Sequence, residues 1–120
     1  MKAPEFIGMM WLARDVTHSA HLNTRSYARH KALGDFYEGI VGLSDSFAEA
    51  YQGRHGLIGP IALMGAKKTG NVIDFLAGQV ADIEKGRYEV CDKSDSTMQQ
   101  LIDNIIEHYL RALYQLRFLA

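Results

Sequence analysis

Two carboxylates, Asp45 and Glu49, stand one helical turn apart in GLSDSFAEAYQG, residues 42–53. Side chains four apart on a helix share a face, so the pair can reach one point in space. Upstream on the same segment lie His30 and Glu38. With His30 set to zero and ~100° allowed per residue, Asp45 falls at ~60°, Glu38 at ~80° and Glu49 at ~100°, whereas Leu33, Tyr37, Ile40 and Phe47 gather between about −20° and −100°. One histidine and three carboxylates therefore form a strip beside the apolar face. Carboxylate oxygens and an imidazole nitrogen are the ligands that suit iron or manganese inside helical bundles. The same strip also reads as the solvated shoulder of an amphipathic helix, the ordinary place for acids.

The remaining reactive side chains point less clearly to chemistry. His18 and His21, three apart beyond Trp11, read as half-buried histidines bonded to backbone or water, with His21 the better ligand candidate. His108, in IIEHYLRALY, reads as a helix-interface residue, and His55, in GRHG, as an exposed one. Cys91 has only Lys93 as a basic neighbour and does not read as an activated thiol. No Ser-His-Asp or Cys-His arrangement emerges by spacing, and AKKTGN lacks the G-x-x-x-x-G-K-[ST] frame of a phosphate cradle.

Four helices must carry these groups. Residues 4–23 place Ile7, Trp11, Arg14, His18 and His21 on one stripe, with Pro4 in a first-turn position. A second helix runs over 27–51, where Leu33, Tyr37, Ile40, Ser44, Phe47 and Tyr51 recur, and Gly53 ends it. Gly34, Gly39 and Gly42 lie inside that helix, where each costs about 1 kcal/mol relative to alanine, which predicts a close helix neighbour along that side. GRHGLIGPIALMGAKKTG, with five glycines and a proline, predicts a packed crossover carrying one helical turn near 61–64. A third helix covers 72–88 on Ile73, Leu76, Val80 and Ile83. The fourth starts at a capping box formed by Ser96 and Gln99, and Leu101, Ile102, Ile105, Tyr109, Ala112, Leu113 and Leu116 follow. Tyr27, Tyr37, Tyr51, Tyr109 and Tyr114 are assigned to the core. No segment alternates as a half-buried strand does, so the fold class is all-α. It is an antiparallel four-helix bundle whose long crossover lies between helices two and three, the ferritin-like layout.

Composition narrows the function classes. The 120 residues are 48% hydrophobic and 22% charged with a net charge of −1. That length suits a single domain, 1–120, burying roughly two thirds of the surface its unfolded chain exposes. The charge balance offers no attraction to nucleic acid, and no apolar run is long enough to span a bilayer. A lone cysteine, and a start that lacks the clean apolar core of a signal peptide, predict the cytoplasm of a bacterial or phage-infected cell.

HLNTRSYARHKALGDFYEGIVGLSDSFAEA, residues 21–50, resembles the core motif of the Dps-like miniferritins. His21 matches that motif's first histidine, His30 its second, and Asp45 and Glu49 its D-x-x-x-E pair, with Ala48 in register. The interval of fifteen from His30 to Asp45 is also the family's. RALYQLRFLA is similar to the C-termini of small phage proteins, which marks a phage or prophage relative. The resemblance implies a homo-oligomer that oxidises ferrous iron with dioxygen or peroxide. Its site straddles two subunits, with His21 and His30 from one and Asp45 and Glu49 from the other. Gly34 stands where the family has a ligand carboxylate, so Asp35 or Glu38 takes that part, and Leu22 stands where the family has a tryptophan. These two departures support a second expectation: a non-enzymatic phage-encoded helical oligomer that uses the same scaffold for binding, as a virion component, an inhibitor of a host protein, or a sequestering protein for a small ligand.

Overall fold

A computed structural model describes residues 1–66 and 70–120. Its helices are α1 (Ala3–Asn23), α2 (Tyr27–His55), α3 (Val72–Val90) and α4 (Ser96–Phe118), and no strand occurs among the described residues. Each start has a local cause. Glu5 accepts the backbone N–H of Lys2 at 3.1 Å, and Ser26, Asn71 and Asp95 accept from the backbone N–H groups of Arg29, Ile73 and Met98. These bonds satisfy donors that no preceding turn can serve.

Several local details differ from the expectation, including the end of α3 at Val90 rather than 88. Helix α2 runs past Gly53 to His55 and ends at Gly56, whose φ of 93° lies in the left-handed region where a side chain is strained. The cap of α4 is Asp95 rather than Ser96. Gln99 turns inward instead, donating to the Cys91 carbonyl at 2.9 Å and accepting from Arg87 Nε at 2.7 Å. No helical turn forms over 61–64. The lysines and threonine of AKKTGN, 67–69, lie outside the described residues.

Helix α1 packs on α2 and α3, α4 packs on the same two, and the pairs α1/α4 and α2/α3 are diagonal. Directions follow from two ion pairs. The amine of Met1 meets Glu89 at 2.8 Å, so α1 begins where α3 ends, and Arg54 meets Asp95 at 2.9 Å, so α4 begins where α2 ends. Helices α2 and α3 therefore run the same way, and the chain leaving α2 at Gly56 lies a bundle's length from the start of α3. On the way, the carbonyl of Ala62 and the side chain of Ile61 lie against Gly8 of α1, where a Cβ would come within 3.0 Å of that carbonyl. One long crossover between the second and third of four helices is the layout expected.

The buried face of α1 is Ala3, Phe6, Ile7, Met10, Ala13 and Thr17. This stripe is rotated from the one read through Trp11, which is 37% exposed. Phe6 meets Phe47 edge to face at 4.9 Å, and Phe36 meets Tyr109 likewise at 5.0 Å, so α1, α2 and α4 interlock through rings. Tyr109 alone of the five tyrosines assigned to the core is fully buried. Tyr37 and Tyr51 are half-buried, and Tyr27 and Tyr114 are exposed. The Tyr109 hydroxyl donates to Gln79 Oε1 at 2.7 Å, and Gln79 Nε2 donates to the Met9 carbonyl at 3.2 Å, a buried relay from α4 through α3 to α1.

Candidate functional site

His21 and His30 do meet. Their rings stack with centroids 3.6 Å apart and planes 20° apart, across the turn between α1 and α2. Each Nδ1 lies against the other residue's carbonyl, that of His30 at 2.8 Å from His21 O. A carbonyl only accepts, so both Nδ1 atoms carry the proton. The His21 carbonyl is among the last four of α1, which have no partner within the helix, and His30 supplies one. His18 stacks on Tyr37 at 4.3 Å, Arg14 lies over the same ring at 5.8 Å, and Tyr37 meets His21 edge-on at 5.3 Å. The cluster closes one end of the α1/α2 pair.

Two imidazoles stacked in nearly parallel planes send their ring nitrogens along those planes, so both lone pairs cannot converge on one ion at about 2.1 Å. The carboxylates stand elsewhere. Asp45 and Glu49 are exposed on α2, and the fifteen residues from His30 to Asp45 span roughly 22 Å of helix axis. Glu38 is exposed, and Asp35 borders a cavity of about 280 Å³ with His108 and Arg111. Among the described residues, no three His, Cys, Asp or Glu side chains come together as a metal-binding group. The structure thus joins His21 to His30 and joins neither to Glu38, Asp45 or Glu49. Within one chain this donor set does not fit an iron.

Gly34 has its own explanation. A Cβ there would lie 3.0 Å from His21 Cε1 and 3.2 Å from Nδ1, so the His21 ring occupies the space that a carboxylate at this position would need. Gly39 repeats the device more tightly. His108 donates Nε2–H to the Phe36 carbonyl at 2.9 Å and stacks on the Phe36 ring at 5.0 Å, and a Cβ at Gly39 would come within 2.4 Å of its ring. The close neighbours predicted from these glycines are histidine rings of α1 and α4, while Gly42 faces open space. Cys91 is buried, and burial pushes its thiol up to about 11, with Asp95 adding to the effect. That thiol is not a nucleophile at neutral pH.

What sequence reasoning missed is the outside of α4. Leu110, Tyr114 and Phe118 are 50%, 55% and 74% exposed at successive turns. The signal was present: these three recur every four residues, about 140° around the helix from the stripe that holds Tyr109. Leu22 and Tyr27 are exposed at the same end of the bundle, where Tyr27, Lys31 and Leu119 border a groove of about 340 Å³. None of the described helices is long and apolar enough to cross a membrane.

The chain is similar to the uncharacterized 14.6 kDa protein of the mobD-ri intergenic region of Enterobacteria phage T4, with 30% identity over 115 residues, 96% of this chain and 88% of that protein. No solved structure matches it. The model of a family of unknown function, DUF5856, matches residues 21–116, a span that holds the histidine pair, both ring-facing glycines and nearly all of α4, and the chain belongs to that family.

Proposed function

We propose that the protein acts by binding rather than by catalysis, as a self-associating helical bundle in a phage-infected cell. The observation that carries this reading is the row of Leu110, Tyr114 and Phe118 along the outside of α4. Single exposed apolar side chains are ordinary, but three on successive turns make a strip of the kind that marks an interaction surface. The side chains that resembled ligands support the reading from the other direction. His21 and His30 spend their Nδ1 protons on the backbone turn between α1 and α2, and Gly34 is filled by a ring. The resemblance to miniferritins then contributes a scaffold and a habit of assembly. The T4 relative supplies the phage setting.

The test is molar mass by light scattering on a sizing column, with metal content and ferrous-iron oxidation measured on the same sample. The expected result is a dimer or a higher multiple without stoichiometric iron. A monomer at the highest concentration that stays in solution overturns the reading. Iron near one or two per chain, with oxidation faster than buffer, overturns it in favour of a site completed between subunits.

A further inference from the structure

The outward positions of α4 run Gln100, Asp103, Glu107, Leu110, Tyr114 and Arg117, separated alternately by three and four. That alternation is the spacing of a coiled-coil seam, which keeps one narrow stripe facing a partner helix along its length. Asp103, Glu107, Leu110, Tyr114 and Arg117 are all exposed, so the seam is unoccupied by the chain's own core. Its charges are sorted. Acids precede the apolar pair and a base follows it.

The helix dipole does not demand this order. Its effect is confined to the first and last turns: it favours Arg117, in the last turn of α4, but does not reach Asp103 and Glu107, the eighth and twelfth residues. A stripe that reads acid, apolar, base in one direction reads base, apolar, acid in the other. It is therefore complementary to itself when two copies meet antiparallel, whereas a parallel meeting sets Glu107 against Glu107 and Arg117 against Arg117. Among the described residues the ion pairs engage Arg14, Arg54, Arg111 and Arg87, the last with Asp103, whereas Arg117, like Arg25 and Arg29, has no carboxylate partner. Glu107 holds Arg111 of its own helix through one oxygen and keeps acceptor capacity on the other.

Resting on the self-association just proposed, we infer that α4 pairs antiparallel with α4 of a second copy across a two-fold axis near Ala112. In that register Leu110 packs on Tyr114 of the second copy, and Glu107 pairs with Arg117 of the second copy. Symmetry makes each contact twice, giving two apolar layers flanked by two ion pairs, an isologous interface. The crossing is shallow, as for helices packed along a 3-4 seam.

Sedimentation equilibrium on the full chain tests the register through Glu107→Arg, Arg117→Glu and the double variant. All changes are on exposed side chains, and circular dichroism checks that each variant is folded. Each single reversal is expected to weaken self-association ~10-fold or more, because like charges then face each other, and the double reversal to return it to within about 3-fold of wild type. Mixing the two single variants is expected to restore dimers as well, because that pairing sets Arg against Glu at both ends. If none of the variants changes an association that the wild type does show, the copies meet through another face. The inference then fails while the binding reading stands. If the folded double variant and the mixture both stay weak, the register is wrong. A wild type that is monomeric throughout removes both.

Discussion

Replacing Gly39 with alanine separates a helix glycine that serves a ring from one that is merely tolerated. In an open helix interior the change stabilises by about 0.5–1 kcal/mol, because glycine loses more backbone freedom on folding. At Gly39 the new Cβ would lie 2.4 Å from His108 Cε1 and 2.8 Å from Nε2, so the ring must leave. With it go the 2.9 Å bond to the Phe36 carbonyl and the stack on Phe36. A hydrogen bond is worth about 1 kcal/mol net and an aromatic pair about 0.5–1.5 kcal/mol. If packing against α2 holds the ring in place, overpacking of about 1–3 kcal/mol stands in for those losses. Set against the gain, Gly39→Ala is expected to destabilise by about 1–2 kcal/mol, a fall of several degrees in Tm for a domain of this size. Gly42→Ala, with nothing within 4 Å of its new methyl, should stabilise by about 0.5–1 kcal/mol. Adding His108→Ala to Gly39→Ala should cost little beyond Gly39→Ala alone, because the bond and the stack are already lost once the ring has left. Urea denaturation of the three variants gives the comparison. Should Gly39→Ala stabilise as much as Gly42→Ala, the ring does not sit over that glycine and the account of both ring-facing glycines fails.

Three further outcomes follow from the same structure. Tyr109→Phe leaves Gln79 Oε1 without its donor in the core and should cost about 1–3 kcal/mol, whereas pairing it with Gln79→Leu should cost less than the single change; equal losses would mean that the relay is not buried as described. Asp45→Asn with Glu49→Gln should leave metal content unchanged by mass spectrometry and raise stability by about 0.2–0.5 kcal/mol, since it removes a like-charge pair one turn apart; a loss of bound iron would make the two carboxylates ligands. Cys91 predicts the alkaline limb of stability. Its folded thiol is pushed up to about 11 from the ordinary 9.0, so the unfolded chain releases that proton first, and stability present below pH 9 is lost as pH rises towards 11. In Cys91→Ala, denaturant melts should show a shallower fall over that interval; an unchanged slope would place the thiol in solvent.

The helices were legible because burial imposes a period, and the errors show what a period omits. On α1 the largest apolar residue, Trp11, drew the stripe towards itself, while the true inner face is built from smaller or more flexible side chains at Ala3, Met10, Ala13 and Thr17. Boundaries moved for equally local reasons. Gly53 can sit inside a helix, and only Gly56 adopts the positive φ that ends one. Gly34 and Gly39 announced a close approach without naming the visitor, because His21 and His108 belong to other helices and nothing in the spacing along α2 specifies them. Tyr114 shares residue type with Tyr109 but lies outside the stripe, and type outweighed angle in assigning it to the core.

The same distinction governs Asp45 and Glu49. A D-x-x-x-E spacing shows that two carboxylates share a face of α2, and the helix delivers that geometry. Spacing carries no information about what stands opposite the pair, and a metal site is defined by convergence from several elements. In this chain the histidines that complete the motif in sequence converge on each other, roughly 22 Å of helix from Asp45 and roughly 28 Å from Glu49, because an unsatisfied carbonyl at the end of α1 offers the His30 proton a partner at 2.8 Å. On the reading proposed above, the donors serve packing and the open face of α4 serves association. For that reason the charge reversals on α4 and the neutralised pair on α2 belong in one experiment: the first should change the oligomer and spare metal content, and the second should change neither.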